Sequence, residues 1–176
     1  SADIFMAVSR TLIRDTVIKG VSVSDCMKYV NNLLCTESVS SMFVTVFYGI
    51  LNTQTGEVEY VNAGHNPPYI LSSGGISQVE ITNGLALGVL EDFSFESKKI
   101  QLKNGDQLLI YTDGVVEAIN QEETAYGEER FANFLNHRLN LPVETIIKES
   151  FTDVYAFVDG APRFDDITLL GITYKG

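Results

Sequence analysis

An α+β fold follows from three features of the sequence. Apolar residues recur at helical spacing near both ends of the chain, β-rich runs punctuated by Gly, Asn and Ser fill the middle, and a last apolar run, Ile167 to Tyr174, closes it. The order helices, antiparallel strands, helices, strand lacks the regular alternation that builds a parallel sheet. With 176 residues, 45% of them hydrophobic, and no repeat, linker or low-complexity stretch, the chain is expected to form a single domain over residues 1–176.

Residues 3–19 carry Ile4, Val8 and Leu12 at four-residue spacing beside Phe5, Ala7 and Ile13, a broad apolar helical face. Ser1 and Ala2 offer at most a cap, so this helix is expected to extend upstream in a longer parent protein. After Gly20, Ser22 and Asp25 form a capping-box-like pair ahead of Met27, Val30, Leu33 and Leu34, predicting a second helix that ends near Cys35. Phe43 to Leu51 and Val58 to Val61 read as a hairpin across Asn52-Thr53-Gln54-Thr55-Gly56. A second hairpin pairs Tyr69-Ile70-Leu71 with Ile76 to Ile81. Asn83 to Gly88 is a glycine-bounded loop, Phe93 to Leu102 alternates as a half-exposed strand, and Lys103-Asn104-Gly105-Asp106 turns into a strand at Leu108 to Tyr111. A long antiparallel meander is the expectation. Val115 to Ile119 read as a short helix, Gln121 to Gly127 as an acidic loop, and Glu128 to Leu139 and Pro142 to Phe157 as two further helices.

Composition excludes some functions. The net charge is -11 and only 12 Lys and Arg are scattered through the chain, against the clustered cations that phosphate neutralisation requires, so nucleic acid is not an expected partner. No apolar run is long enough to cross a bilayer and no signal peptide is visible, so a cytoplasmic protein without membrane contact is expected. Cys26 and Cys35 lack a CxxC spacing and are read as free thiols.

The chemistry centres on Gly105 to Ala118, an apolar strand that delivers Asp113 at its end, where Gly114 lets the backbone turn. A second acidic pair, Asp165-Asp166, precedes the last strand. Strand ends of this kind can supply carboxylate oxygens to an octahedral Mg²⁺ or Mn²⁺. The same residues also suit an ordinary Asp-Gly turn and a local cap, and two acidic sites are too few for two metals. His65, between Gly64 and Asn66-Pro67-Pro68, belongs to a shaped turn, and His137 to the polar C-terminal end of a helix.

Three segments in order, Asn62-Ala63-Gly64-His65-Asn66-Pro67-Pro68, Tyr111-Thr112-Asp113-Gly114-Val115-Val116-Glu117-Ala118 and Asp165-Asp166-Ile167-Thr168-Leu169-Leu170, resemble the SpoIIE/RsbU-type branch of the PPM (PP2C-like) serine/threonine protein phosphatases. Phe5-Met6-Ala7 also matches a family segment, so the resemblance covers almost the whole chain. It implies an α-β-β-α sandwich and a paired Mn²⁺ or Mg²⁺ centre that activates water against phosphoserine or phosphothreonine, with no side-chain nucleophile. Asp113 and Asp165 correspond to metal ligands, and Gly114 and Asp166 to supporting positions. The implied substrate is a phosphorylated regulatory protein such as an anti-sigma factor antagonist, in bacterial partner-switching signalling. The family carries two more aspartates upstream of the first helix, one in an Asp-x-x-Gly segment, and this sequence starts after that point. The isolated chain is therefore expected to bind Mn²⁺ weakly, to show negligible phosphatase activity, and to form homodimers through sheet edges left unpaired. A catalytically dead, phosphatase-like binding module for signal relay is the competing expectation.

Overall fold

The computed structural model describes Ile13 and residues 20–37, 42–161 and 165–176, which fall into two compact units. The first runs to His65 and includes Glu80–Gln101. Its helix α1, Val23–Glu37, starts where Ser22 caps it: the Asp25 backbone N–H donates to Ser22 Oγ at 3.1 Å, and Ser22 Oγ donates to the Asp25 carboxylate at 2.7 Å. The acidic residue in the third helical position thus accepts a hydrogen bond from the hydroxyl, a variant of the reciprocal pair. Val23, Cys26, Met27, Val30 and Leu34 form one buried stripe against Val61, Ala63, Leu87 and Phe95. Side chains such as Met27 and Leu34 are each worth about 1.5–3 kcal/mol on burial. The strands β1 (Val46–Leu51) and β2 (Glu57–Ala63) pair antiparallel from Val46 opposite Ala63 to Leu51 opposite Val58. The turn between them closes because Asn52 Oδ1 accepts from the backbone of Gln54 and Thr55. Of the predicted first helix only Ile13 is described; it is helical and packs on this core, and the rest lies outside the described residues.

The second unit comprises Asn66–Val79 and Leu102–Gly176. It holds β3 (Tyr69–Ser72), β4 (Gly75–Gln78), β6 (Gln107–Tyr111), β7 (Leu169–Thr173) and the helices α2 (Glu128–Asn136) and α3 (Val143–Val158); β5 (Lys98–Gln101) lies in the first unit. Four of the five residues of β6 are buried, as its apolar sequence predicts, because it pairs with β3 on one side and β7 on the other. Tyr69, Leu109, Tyr111, Phe131, Leu135, Ile146 and Val154 build the core beneath it. Gly171 on β7 faces α3 so closely that a Cβ there would collide with Val143 and press on Ile147. His137 caps α2, its Nδ1 2.7 Å from the Asn133 carbonyl. Among the described residues no helix is long and apolar enough to cross a membrane, and both cysteines are free thiols.

The expected meander is corrected. The strands sort into two antiparallel sheets, ordered β1-β2-β5 and β4-β3-β6-β7, so the two successive hairpins lie in different sheets. The chain leaves β2 at Gly64, whose φ is +75°, and enters β3 after Pro67-Pro68, two residues with no N–H to continue a ladder. The strand expected over Phe93 to Leu102 is confined to Lys98–Gln101. Before it, the Asn83 side chain donates to the Ser94 carbonyl at 2.6 Å and accepts from the Glu96 N–H at 3.2 Å, which replaces ladder bonding. Val115 to Ile119 is not a helix. Only Glu117 N–H closes a helical bond, to the Asp113 carbonyl at 2.8 Å; the Val116 and Ala118 carbonyls instead accept from Gly127 and Tyr126 as the chain returns.

Candidate metal centre

Every predicted site residue lies in the second unit, where β6 and β7 run side by side. Ladder bonding continues past Tyr111 opposite Leu169: Thr112 N–H donates to the Thr168 carbonyl at 3.0 Å, Thr168 N–H donates to Thr112 Oγ1 at 3.0 Å, and Thr112 Oγ1 donates to the Asp166 carbonyl at 3.0 Å. One threonine hydroxyl therefore holds the segment ahead of β7 against the segment leaving β6. Gly114 is buried beneath this clasp, and a Cβ on it would sit 2.5 Å from the Asp166 carbonyl oxygen. No larger residue fits there without moving backbone.

The two acidic positions are thereby carried on adjoining backbone. Asp113, Asp165 and Asp166 are all exposed. Asp113 Oδ1 accepts from the Gly114 N–H at 2.9 Å, and Asp165 Oδ1 from the Asp166 N–H at 2.7 Å. The second oxygen of each carboxylate has no partner among the described residues. All-oxygen, solvent-facing donors of this kind suit a hard divalent cation, which keeps several waters and needs only one or two protein carboxylates. They do not suffice for a pair of metals: among the described residues no group of three or more His, Cys, Asp or Glu side chains is placed to hold an ion.

Sequence reasoning missed Thr112, although a threonine beside an aspartate at a strand end is the residue type that bonds to nearby backbone. It also missed the wall beside the centre. A cavity of about 270 Å³ opens next to Gly114 and Asp165, lined by the turn at Glu117 to Ile119 and by the end of α3 at Tyr155 and Val158. His65 stays in the first unit as a turn residue: the Asn62 side chain accepts from its N–H and donates to its carbonyl, both at 2.8 Å.

The fold places the chain among the PP2C-like proteins. It superposes on the SiaA-PP2C domain of Pseudomonas aeruginosa with a TM-score of 0.82 at 16% identity, over 98% of this chain and 69% of that one. The crystal structure of the RsbU and RsbW domains of Rv1364c from Mycobacterium tuberculosis matches with a TM-score of 0.83 at 25% identity, over 99% and 48%. A manganese complex of the catalytic domain of the serine threonine protein phosphatase PstP shares the fold, with a TM-score of 0.64 at 13% identity, over 97% and 82%. The family model of Stage II sporulation protein E (SpoIIE) matches residues 1–175, and the chain belongs to that family. Among curated relatives, Protein IcfG of Synechocystis sp. is 30% identical over 155 residues and phosphoserine phosphatase RsbU of Bacillus subtilis 29% identical over 158. The chain spans 24% of the first and 46% of the second, so it corresponds to a part of each.

Proposed function

We propose that residues 1–176 act as a metal-dependent serine/threonine protein phosphatase domain whose substrate is a phosphorylated regulatory protein in partner-switching signalling. The observation that carries the reading is the Thr112 and Gly114 clasp, which joins two aspartate-bearing segments in a chain of the SpoIIE family. The family model's match over residues 1–175 supports treating both units as one domain, and the likeness to the phosphoserine phosphatase RsbU supports phosphoserine as the substrate group. A cytoplasmic location goes with this role. β7, paired on one side only among the described residues, offers an edge for self-association.

In this reading Asp113 and Asp165 hold the cation through their open oxygens, Gly114 admits the close approach, and the Asp166 carbonyl is fixed by Thr112. Manganese or magnesium held there would lower the pKa of water and neutralise phosphoryl oxygens. The chain itself contributes position: the bonds of Thr112 to Asp166 and Thr168 tie the segment ahead of β7 to the segment that follows β6.

The test is hydrolysis of p-nitrophenyl phosphate by the full-length protein with and without Mn²⁺. Asp113→Asn and Asp165→Asn are expected to lower activity by more than the roughly 10–100-fold that outer-shell changes cost, with the fold intact by circular dichroism. Metal-independent turnover, or full activity of either variant, would sink the assignment. The isolated chain is expected to show negligible turnover, and robust Mn²⁺-dependent hydrolysis by it would refute that part. A second reading, a catalytically dead binding module, is favoured by the lack of a three-ligand group among the described residues. It requires that Mn²⁺ leave the melting temperature of the full-length protein unmoved.

A further inference from the structure

The cavity beside the candidate centre has a chemical character that the phosphatase reading does not use. At about 270 Å³ it lies just below the range of roughly 300–1,000 Å³ typical of small-molecule sites, so it suits one long side chain better than a whole cofactor. Much of its lining is apolar, including Ala118, Ile119, Val158 and Ile167. One lining carboxylate, the exposed Glu117, is left free by the metal reading, which assigns Asp165 to the cation. Glu117 makes no side-chain hydrogen bond or ion pair among the described residues, while its backbone N–H is fixed on the Asp113 carbonyl at 2.8 Å. The last turn of α3 supplies another wall through Tyr155 and Val158, and a helix C-terminus carries partial negative charge.

A largely apolar cavity with one free carboxylate in its lining matches a side chain that has a methylene stem and a cationic head. We propose that this cavity is a substrate subsite that takes a lysine or arginine side chain flanking the phosphorylated residue, with Glu117 as its main charge partner. The proposal rests on the phosphatase reading, and it narrows the substrate class to phosphoproteins with a basic residue close to the phosphoserine or phosphothreonine. Glu117 acts on binding, not on the reacting phosphoryl group. Because Glu117 is exposed, the preference is modest and weakens as salt rises.

The test uses the full-length protein, Mn²⁺, and phosphoserine peptides that carry lysine, or its uncharged isostere norleucine, at successive positions on either side of the phosphoserine. At the matching position the lysine peptide is expected to be preferred about fivefold in kcat/KM, carried by KM. Glu117→Gln is expected to remove most of that preference. The ratio is read within each protein, so a change in overall turnover divides out. No preference at any position, or a preference untouched by Glu117→Gln, overturns the subsite. An independent arm titrates n-butylguanidinium, a guanidinium on a four-carbon stem, and uncharged 1-butanol into the full-length protein while the amides of Ala118 and Ile119 are followed by NMR. Saturable shifts with n-butylguanidinium and not with 1-butanol, weakened in Glu117→Gln, support the subsite even if p-nitrophenyl phosphate is not hydrolysed, in which case only the phosphatase reading falls. Absence of such shifts overturns the proposal whatever the activity.

Discussion

Replacing Gly114 with alanine tests the joint between the two aspartate-bearing segments. The added Cβ would lie 2.5 Å from the Asp166 carbonyl oxygen and 3.0 Å from its carbonyl carbon, whereas ordinary contact starts near 3.4 Å. The Asp166 backbone must therefore retreat by about 0.9 Å, the difference between 3.4 and 2.5. Both contacts are backbone, so no side chain can rotate away, and the φ of Gly114 is outside the left-handed range, which leaves sterics as the whole cost. Overpacking of this kind costs about 1–3 kcal/mol. The displacement also loosens the 3.0 Å bond from Thr112 Oγ1 to the Asp166 carbonyl, worth about 1 kcal/mol net, which puts the variant toward the upper end of that range. For a chain of this size, at about 2–4 °C per kcal/mol, the melting temperature is expected to drop by about 6–12 °C. Gly74→Ala is the control, since a Cβ there meets nothing within 4 Å, and it should stay within about 0.5 kcal/mol of the parent. The assay is thermal denaturation followed by circular dichroism, with calorimetric Mn²⁺ titration of the folded proteins. If Gly114→Ala melts with Gly74→Ala and binds Mn²⁺ as the parent does, the close approach is not what holds these segments together.

Two further outcomes follow from buried polar groups. Asn31, fully buried, donates to the Leu90 carbonyl at 2.8 Å and accepts from the Gly88 N–H at 2.9 Å, so Asn31→Ala should cost about 2 kcal/mol by chemical denaturation. A loss below about 0.5 kcal/mol would mean that water replaces both bonds. Tyr126, buried with its hydroxyl donating to Asp153 at 2.6 Å, has its pKa raised first by burial and then by that carboxylate. Burial also raises Tyr69 and Tyr111. A raised folded pKa means that the unfolded chain releases its proton first, near pH 10, so this stability is complete below about pH 10 and is lost as pH rises beyond it. Tyr126→Phe should reduce that alkaline slope by about 0.7 kcal/mol per pH unit averaged between about pH 9 and 11, where it is read from denaturation midpoints. An unchanged slope would show that Tyr126 titrates alike in both states.

Local chemistry was legible in the sequence where a short segment satisfies its own backbone. Asn52 closes the β1–β2 turn with its side chain, Ser22 and Asp25 start α1, and the Lys103 N–H bonds to the Asp106 carboxylate at 2.8 Å before β6 begins. Partner choice between distant strands was not legible, because periodicity gives a strand its faces but not its neighbours. β2 takes β5 as its second partner, with Glu57 opposite Gln101, across more than forty residues that include a hairpin of the other sheet. The missed turn after Asp113 has the same cause. Val115, Val116 and Ala118 are buried as a helical stripe would be, yet a helix needs the carbonyls of Val116 and Ala118, and the returning Tyr126 and Gly127 have taken them. That return matters for the site. It keeps the backbone after Asp113 wound into a single tight turn, so that Gly114 sits under the Asp166 carbonyl while Glu117 reaches the rim of the adjoining cavity. A regular helix at Val115 to Ile119 would have offered those carbonyls to Asn120 and Glu122 instead, and the chain could not have closed behind the aspartate as it does. The residues that the sequence reads as a simple helix are the ones whose departure from it shapes the candidate centre.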